Sequence, residues 1–321
     1  MKRIRVSEFG GPEVLRLEEV EDLAPGKEEV LIRVRAAGVN PYETYERAGN
    51  YGANGRQPPY TPGSDLAGVV EAAGSGVPGF ARGDRVYTTG TLTGSYAELA
   101  LCSPSQVRRL PDRCSFAQGA ALYVPYVTAY RSLFQLAHAA GGETVLVHGA
   151  SGGVGIAGVQ LARAAGMTVI GTAGTEQGLE LIKAEGAHLA FRHDGPGYEE
   201  EILAATGERG VDVILEVAAH RNLARDLRLL AMRGRVVVIG SRGDIEITPR
   251  QTMLKDTSII GMLLWNTPPV ELEAAVAALN AGLENGTLRP VVGAEIPLPS
   301  AADAHRRLGQ GGALGKIVLV P

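Results

Sequence analysis

Two cysteines, Cys102 and Cys114, are all that 321 residues contain, and they are far from any Cys-x-x-Cys spacing. This excludes a disulfide-stapled scaffold and a four-cysteine metal lobe, and two isolated cysteines in so long a chain read as reduced thiols. Aromatic residues make up only 5% of the chain, with one tryptophan and no aromatic RNA-binding motif, so base stacking is not its main task. Charge of one sign is also lacking: 31 Lys and Arg face 35 Asp and Glu, net -4, with no basic cluster and hence no electrostatic footprint for nucleic acid. No apolar run approaches the ~20 residues a bilayer crossing needs. The start, Met1-Lys2-Arg3-Ile4-Arg5-Val6, alternates like a strand and lacks the apolar core of a secretory signal. The expectation is a soluble, cytoplasmic protein with no membrane partner.

What is abundant is glycine, 43 residues, with 18 prolines and a hydrophobic fraction of 45%. The length predicts two domains, each able to bury its own apolar face. Up to about Pro111, short strands alternate with Gly and Pro: residues 30–35, 66–71 and 84–87. That pattern predicts a β-rich, barrel-like domain. After Phe116 apolar strands alternate with Ala-rich helices: a helix over 120–139, then strands at 144–148, 168–171, 211–215 and 235–240. These runs predict a doubly wound parallel sheet covered on both faces. An amphipathic helix over 270–284 and a last strand at 316–320 follow. The predicted divisions are 1–120, 121–267 and 268–321, the last returning to the first domain.

Directly after the strand ending at His148 comes Gly149-Ala150-Ser151-Gly152-Gly153-Val154-Gly155, opening a helix over 156–165. Glycines there let the backbone turn tightly and approach a pyrophosphate, and the helix N-terminus offers free N–H groups to the anion. The strand and helix on either side turn a bare glycine pattern into a dinucleotide site. About 20 residues on, where NAD-specific sites place an acidic side chain, stands Gly171-Thr172-Ala173-Gly174-Thr175. Small neutral residues leave room for a 2′-phosphate, which Lys183, Arg192 and His193 are near enough in sequence to neutralise. NADPH is the expected cofactor. Glu176, slightly further on, is a carboxylate that could still reach a ribose, and His193 also reads as an ordinary surface histidine.

The chain resembles the zeta-crystallin type of quinone oxidoreductase, in the medium-chain dehydrogenase/reductase superfamily, over nearly its whole length. The resemblance rests on residues 8–15, Gly38-Val39-Asn40-Pro41-Tyr42-Glu43-Thr44-Tyr45, Pro59-Tyr60-Thr61-Pro62-Gly63-Ser64-Asp65, residues 147–155, residues 171–176 and residues 239–247. It implies a GroES-like β-barrel catalytic domain formed by both ends of the chain, a Rossmann domain between them, and NADPH-dependent reduction of a quinone to semiquinone or hydroquinone. Family NADPH contacts carry over to Tyr45, Ser151, Gly152, Gly153, Val154, Gly155, Gly174, His193, Asn222, Ile239, Gly240, Ser241 and Arg242. Met262, Leu263 and Leu264 follow, on a strand beside the nicotinamide, and Lys316 would reach the phosphate end. The sequence departs from the family at Ser95, where a second glycine is usual, and at Asn54-Gly55-Arg56-Gln57 in a loop on the expected substrate side.

Related zinc enzymes have a thiolate and an imidazole where this chain has Gly38-Val39-Asn40 and Gly63-Ser64-Asp65, so no metal is expected. Without a Lewis acid, reduction of an electron-poor quinone or enone is the accessible chemistry, needing donors for a developing oxyanion. Asn40 and Tyr45 are read as such donors. Tyr51 and Thr128 read equally as donors or as buried hydrogen-bonding residues. Reduction of an enoyl or alkenal compound is the alternative activity, and a crystallin-like or RNA-binding role the alternative of another class. The apolar stretch 259–264 ends the predicted sheet and invites a second copy, so a homodimer is expected, with a homotetramer as the larger alternative.

Overall fold

The computed structural model describes every residue except Pro196, and of Asn54 the backbone only. The chain forms two compact units.

The first unit comprises Met1–Val124, Pro290–Gly311 and Gly315–Pro321. Its sheet is built on the long strand Val30–Val39, which pairs with Asp65–Ala73, Leu99–Cys102 and Lys316–Val320, all antiparallel. Arg85–Thr88 and Val107–Arg109 extend one side, and Val292–Pro297 the other. Ile32, Val34, Leu66, Val70, Tyr96 and Leu319 fill a shared interior that isolates the barrel core from water. The register Ile317↔Val39 and Val318↔Gly38 brings Lys316 to the end of Val30–Val39, next to Asn40. Gly38 permits this approach, since a Cβ there would lie 2.2 Å from the Ala120 carbonyl and 2.8 Å from the Lys316 Cε.

The second unit comprises Pro125–Arg289 and Gly312–Leu314. It is a six-stranded parallel sheet of β1 (Thr144–Val147), β2 (Thr168–Ala173), β3 (Leu189–Arg192), β4 (Val211–Glu216), β5 (Leu230–Val238) and β6 (Ser258–Gly261). The order is β3-β2-β1-β4-β5-β6, the doubly wound arrangement that the apolar strands and intervening helices predict. Val145, Leu146, Val169, Ile170, Val213, Ile214, Val236 and Val237 are almost wholly buried, as strands covered on both faces require.

The chain returns to the first unit at Pro290, not at the expected 268. The helix Pro269–Asn285 stays with the second unit because it buries Val276, Leu279 and Leu283, and because Glu271 holds Arg131 and accepts from the Gln135 side chain through its carbonyl. Gln160 then pins Arg289 by both its backbone N–H and its carbonyl, at 2.9 and 2.8 Å. The expected strand through Met262–Leu264 also ends early. β6 stops at Gly261, Met262 N–H still bonds to Val238 at 3.0 Å, and Leu264–Asn266 is a short 3₁₀ turn.

Candidate functional site

In the second unit, the sequence-predicted cofactor residues come from the carboxyl ends of the strands, the edge at which open α/β sheets hold their ligands. The loop after β1 turns at Gly149, whose φ of 59° favours glycine, and leads into the helix Gly153–Ala164. Gly152 is its N-cap, so the N–H groups of Gly153, Val154 and Gly155 begin the helix without intrahelical acceptors. A Cβ on Gly155 would lie 2.4 Å from both the Ala150 Cα and the Gly149 carbonyl oxygen. A Cβ on Gly152 would meet nothing closer than 3.5 Å. The two glycines thus do different things: Gly155 is required by the turn, while Gly152 keeps the face of the loop open.

β3 pairs with β2 in the register Arg192↔Ala173, which sets His193 beside Gly174. A Cβ on Gly174 would be 3.1 Å from the His193 Nε2. His193 is exposed at the surface, its Nδ1 lies 3.2 Å from the Thr172 hydroxyl, and partial desolvation of the ring followed by the nearby His148 holds the imidazole below its ordinary pKa. Arg192 donates to the Gly174 carbonyl at 3.4 Å and pairs with Asp194 at 2.6 Å. Glu176 is exposed in the first turn of the helix Glu176–Ala184. Lys183 stands in its last turn, ~10 Å further along the axis, so Arg192 and His193 rather than Lys183 flank Gly174.

At the ends of β5 and β6 a hollow of about 490 Å³ is lined by Ile239, Gly240, Ser241, Met262, Leu263 and Asn266. Arg242 is exposed, with its N–H on His220, and Leu264 is buried in the 3₁₀ turn. Asn222, in the helix Ala219–Leu229 that follows β4, donates to Glu216 at 3.1 Å. Thr128 is buried at 4% exposure in a short helical segment of this unit.

Behind these loops lies a group that no local pattern signals. His148, Glu216 and Asp226 bring potential ligand atoms within 4.8 Å of one another, the one such set of three among the described residues. His148 Nε2 is 2.9 Å from Asp226 and 3.6 Å from Glu216. Burial opposes charge on the imidazole, but Asp226 and then Glu216 outweigh it and raise the His148 pKa to about 9. Burial raises that of Glu216. The cluster is a buried cation with its counter-charges.

In the first unit, Asn40 caps the helix Pro41–Arg47. Its side-chain amide donates to Asp65 at 2.9 Å and to Glu43 at 3.3 Å, and its oxygen accepts from Lys316. Lys316, expected at a phosphate, is instead buried with its ammonium 2.9 Å from Asp65, and Asn40, expected to face substrate, is engaged at both ends of its amide. The segments Gly38–Asn40 and Gly63–Asp65 do meet, but what they bring together is an amide, a carboxylate and an ammonium. Tetrahedral zinc needs three or four anionic or imidazole donors, and a fixed cation among them repels it, so these residues do not fit a zinc ion. Glu43 is also buried. Burial raises its pKa to about 7 against the hydrogen bond from Tyr96 at 2.6 Å, the charge of Lys316 and the bond from the Asn40 backbone N–H. Tyr45 is half-buried on the same helix, and Tyr51, 37% exposed, follows it. Partial burial, then Tyr45 and Glu46, raises the Tyr51 pKa, so this phenol remains a donor at neutral pH. In the loop that departs from the family, Gln57 caps the carbonyls of Gly52 and Gly55, and Arg56 reaches the Thr61 carbonyl at 3.1 Å.

Residues 26–112 match the family Alcohol dehydrogenase GroES-like domain, and residues 153–281 match Zinc-binding dehydrogenase. The chain is 50% identical over 326 residues to a quinone oxidoreductase of Homo sapiens, an alignment covering 100% of this chain and 98% of that protein. Among solved structures, Escherichia coli quinone oxidoreductase complexed with NADPH is similar with a TM-score of 0.89 and 29% identity, covering 100% of both chains. An NAD-dependent alcohol dehydrogenase is similar with a TM-score of 0.93 and 28% identity, again over 100% of both.

Proposed function

The chain belongs to the quinone oxidoreductase family of the medium-chain dehydrogenase/reductase superfamily, and we propose that it reduces quinones with NADPH as reductant and without a metal ion. The observation that carries the cofactor preference is the end of β2: Gly174 and Thr175, not an acidic side chain, directly follow Ala173, and Gly174 is flanked by His193 and Arg192. A carboxylate there would hold the ribose 2′-hydroxyl of NADH, whereas a glycine between an imidazole and a guanidinium suits a 2′-phosphate. Ser151–Gly155 would seat the pyrophosphate, and Ile239–Ser241 with Met262 and Leu263 the nicotinamide end.

When bound, NADPH supplies hydride to an electron-poor carbonyl system. The protein's part is to orient the two reactants and to stabilise negative charge on the substrate oxygen. Tyr45 and Tyr51 are the phenols proposed for that, and Asn40 is assigned instead to holding Lys316 and Asp65. With an ammonium where a zinc ligand set would need an anion, polarisation falls to these neutral donors.

The edge strand β6 and its surroundings support a homodimer. Ile259, Leu263, Trp265 and Val270 are 39%, 48%, 49% and 77% exposed along this side of the unit, beside a strand edge open to pairing. No described helix is long and apolar enough to cross a membrane. Cys102 and Cys114 are both free and buried, which suits the reducing cytoplasm proposed for the protein. Fluorescence titration of the protein with NADPH and NADH tests the cofactor assignment: tighter binding of NADPH is expected, and equal binding would overturn it.

A further inference from the structure

A line of hydrogen-bonding side chains runs from the buried cluster to the end of β2, and the cofactor reading leaves most of it unused. Asp226 Oδ1 lies 2.9 Å from His148 Nε2. His148 Nδ1 lies 3.2 Å from Thr172 Oγ1, and the same oxygen is 3.2 Å from His193 Nδ1. Asp226 and Thr172 are fully buried and His148 is 2% exposed, so no bulk water competes along the inner part of this line.

The buried Thr172 hydroxyl must give its proton to one of the two rings beside it, since an unmade buried donor is costly, and that leaves two arrangements. A carboxylate only accepts, so His148 Nε2 carries a proton in both. With a neutral His148, Nδ1 must accept the Thr172 hydroxyl proton. The Thr172 oxygen then accepts from His193 Nδ1–H, and the His193 Nε2 beside Gly174 is left a bare acceptor. With a charged His148, Nδ1 donates to Thr172, and Thr172 turns its proton to His193 Nδ1. A neutral His193 must then carry its own proton on Nε2, as a donor. The charged and titratable groups facing His148 are Asp226, Glu216 and Glu199, all acidic, and they select the second arrangement. Those facing His193 are His148, Asp194, Arg192 and Arg221; partial desolvation and the three cations outweigh Asp194 and keep the ring neutral.

We propose that the charged, buried His148 orders this line through the Thr172 hydroxyl, so that His193 presents a neutral Nε2–H at Gly174 as a donor to the 2′-phosphate of NADPH. His148 and Thr172 are then positioning residues for cofactor discrimination. The inference rests on the NADPH reading given above. Gly174 belongs to the arrangement: any side chain there would begin 3.1 Å from the His193 Nε2 and cover the donor. The acceptor form of the ring would turn a lone pair toward an anion, which disfavours the phosphate.

The test uses the ligand-free protein first. Long-range ¹H–¹⁵N correlation spectra assign the tautomer of His193 near neutral pH in the wild type, in Thr172→Val, which keeps the shape and removes the hydroxyl, and in Thr172→Ser, which restores it. The expected result is Nε2–H in the wild type and in Thr172→Ser, and loss of that single tautomer in Thr172→Val. Titrations with NADPH and NADH should then show Thr172→Val binding NADPH about ten- to a hundredfold more weakly, the size of one charge-assisted hydrogen bond, with NADH unchanged and Thr172→Ser near wild type. Nδ1–H in the wild type would overturn the proposal whatever the cofactor preference. The Nε2–H form with equal losses for both cofactors in Thr172→Val would overturn its role in discrimination. Wild-type preference for NADPH is read from the same titrations, so failure of the cofactor assignment is distinguishable from failure of the relay.

Discussion

Lys316 Nζ lies 2.9 Å from Asp65 Oδ2, a buried pair joining residues 251 apart in sequence. Asp65 also accepts from the Val124 N–H at 3.0 Å and from Asn40 at 2.9 Å, so its charge is compensated on several sides. Removing the ammonium alone would leave a buried carboxylate without its counter-charge. Lys316→Met is expected to destabilise the protein by about 3–5 kcal/mol in denaturant unfolding while leaving NADPH affinity within about twofold. Loss of NADPH affinity at unchanged stability would restore the phosphate-contact role instead.

The two glycines of the β1 loop give a paired prediction. Gly155→Ala places a methyl 2.4 Å from backbone atoms of Gly149 and Ala150, so the turn must shift and both thermal stability and NADPH binding should fall. Gly152→Ala meets nothing within 3.4 Å, so stability should hold while NADPH affinity falls by about tenfold or more, as a methyl comes between backbone and pyrophosphate. Melting curves and cofactor titration of the two variants separate the roles.

His148 gives the stability profile an alkaline limb. Its folded pKa is raised to about 9 from the ordinary 6.5, so its contribution is complete below 6.5 and is lost as pH rises through 9. His305 acts on the acid side. Burial and then Arg47 lower its pKa to about 3, so the unfolded chain binds the extra proton first and stability falls as pH drops below 6.5. Glu43, raised to about 7, works against that fall between 4.5 and 7, since its folded form holds the proton longer. Unfolding free energies from pH 6 to 10 should decline in the wild type and decline less in His148→Gln; equal slopes would contradict the charged state of His148.

Much of the second unit was legible in the sequence because its signals are local. Strands buried on both faces read as apolar runs, and the tight turn after β1 demands glycine, so the sheet and the loop Gly149–Gly155 stand where the pattern predicts them. Pairings between distant segments carry no such signal. Glu216 and Asp226 lie 68 and 78 residues beyond His148, and nothing around them announces a partner. The same holds for Lys316 with Asn40 and Asp65, which is why a lysine near a predicted phosphate site turned out to close a barrel. The unit that holds the helix Pro269–Asn285 is not legible either, because amphipathic periodicity tells that a helix has a buried face, not which core receives it.

Ser95 is fully buried and its hydroxyl has no hydrogen-bond partner. It stands where the family usually has glycine, and its oxygen fills the space a Cβ on Gly63 would need, at 2.1 Å. Ser95→Ala is expected to raise stability by about 1 kcal/mol by removing an unpaired buried hydroxyl. A drop in melting temperature would mean that the hydroxyl has a partner in solution.

The open edge of β6 predicts a dimer that one charge can disrupt. Sedimentation equilibrium should give a dimer for the wild type and a monomer for Ile259→Lys, which sets an ammonium on an apolar strand edge. A monomeric wild type would contradict the proposed assembly.

Metal-free quinone reduction by NADPH is tested most directly by steady-state oxidation of NADPH at its nicotinamide absorbance, with an ortho-quinone, a para-quinone, an enal and an enoyl thioester as acceptors, each with and without a strong chelator. Turnover with a quinone that is faster with NADPH than with NADH and indifferent to the chelator is the predicted result. Inert quinones beside rapid turnover of the enal or thioester, or activity abolished by the chelator, would contradict it.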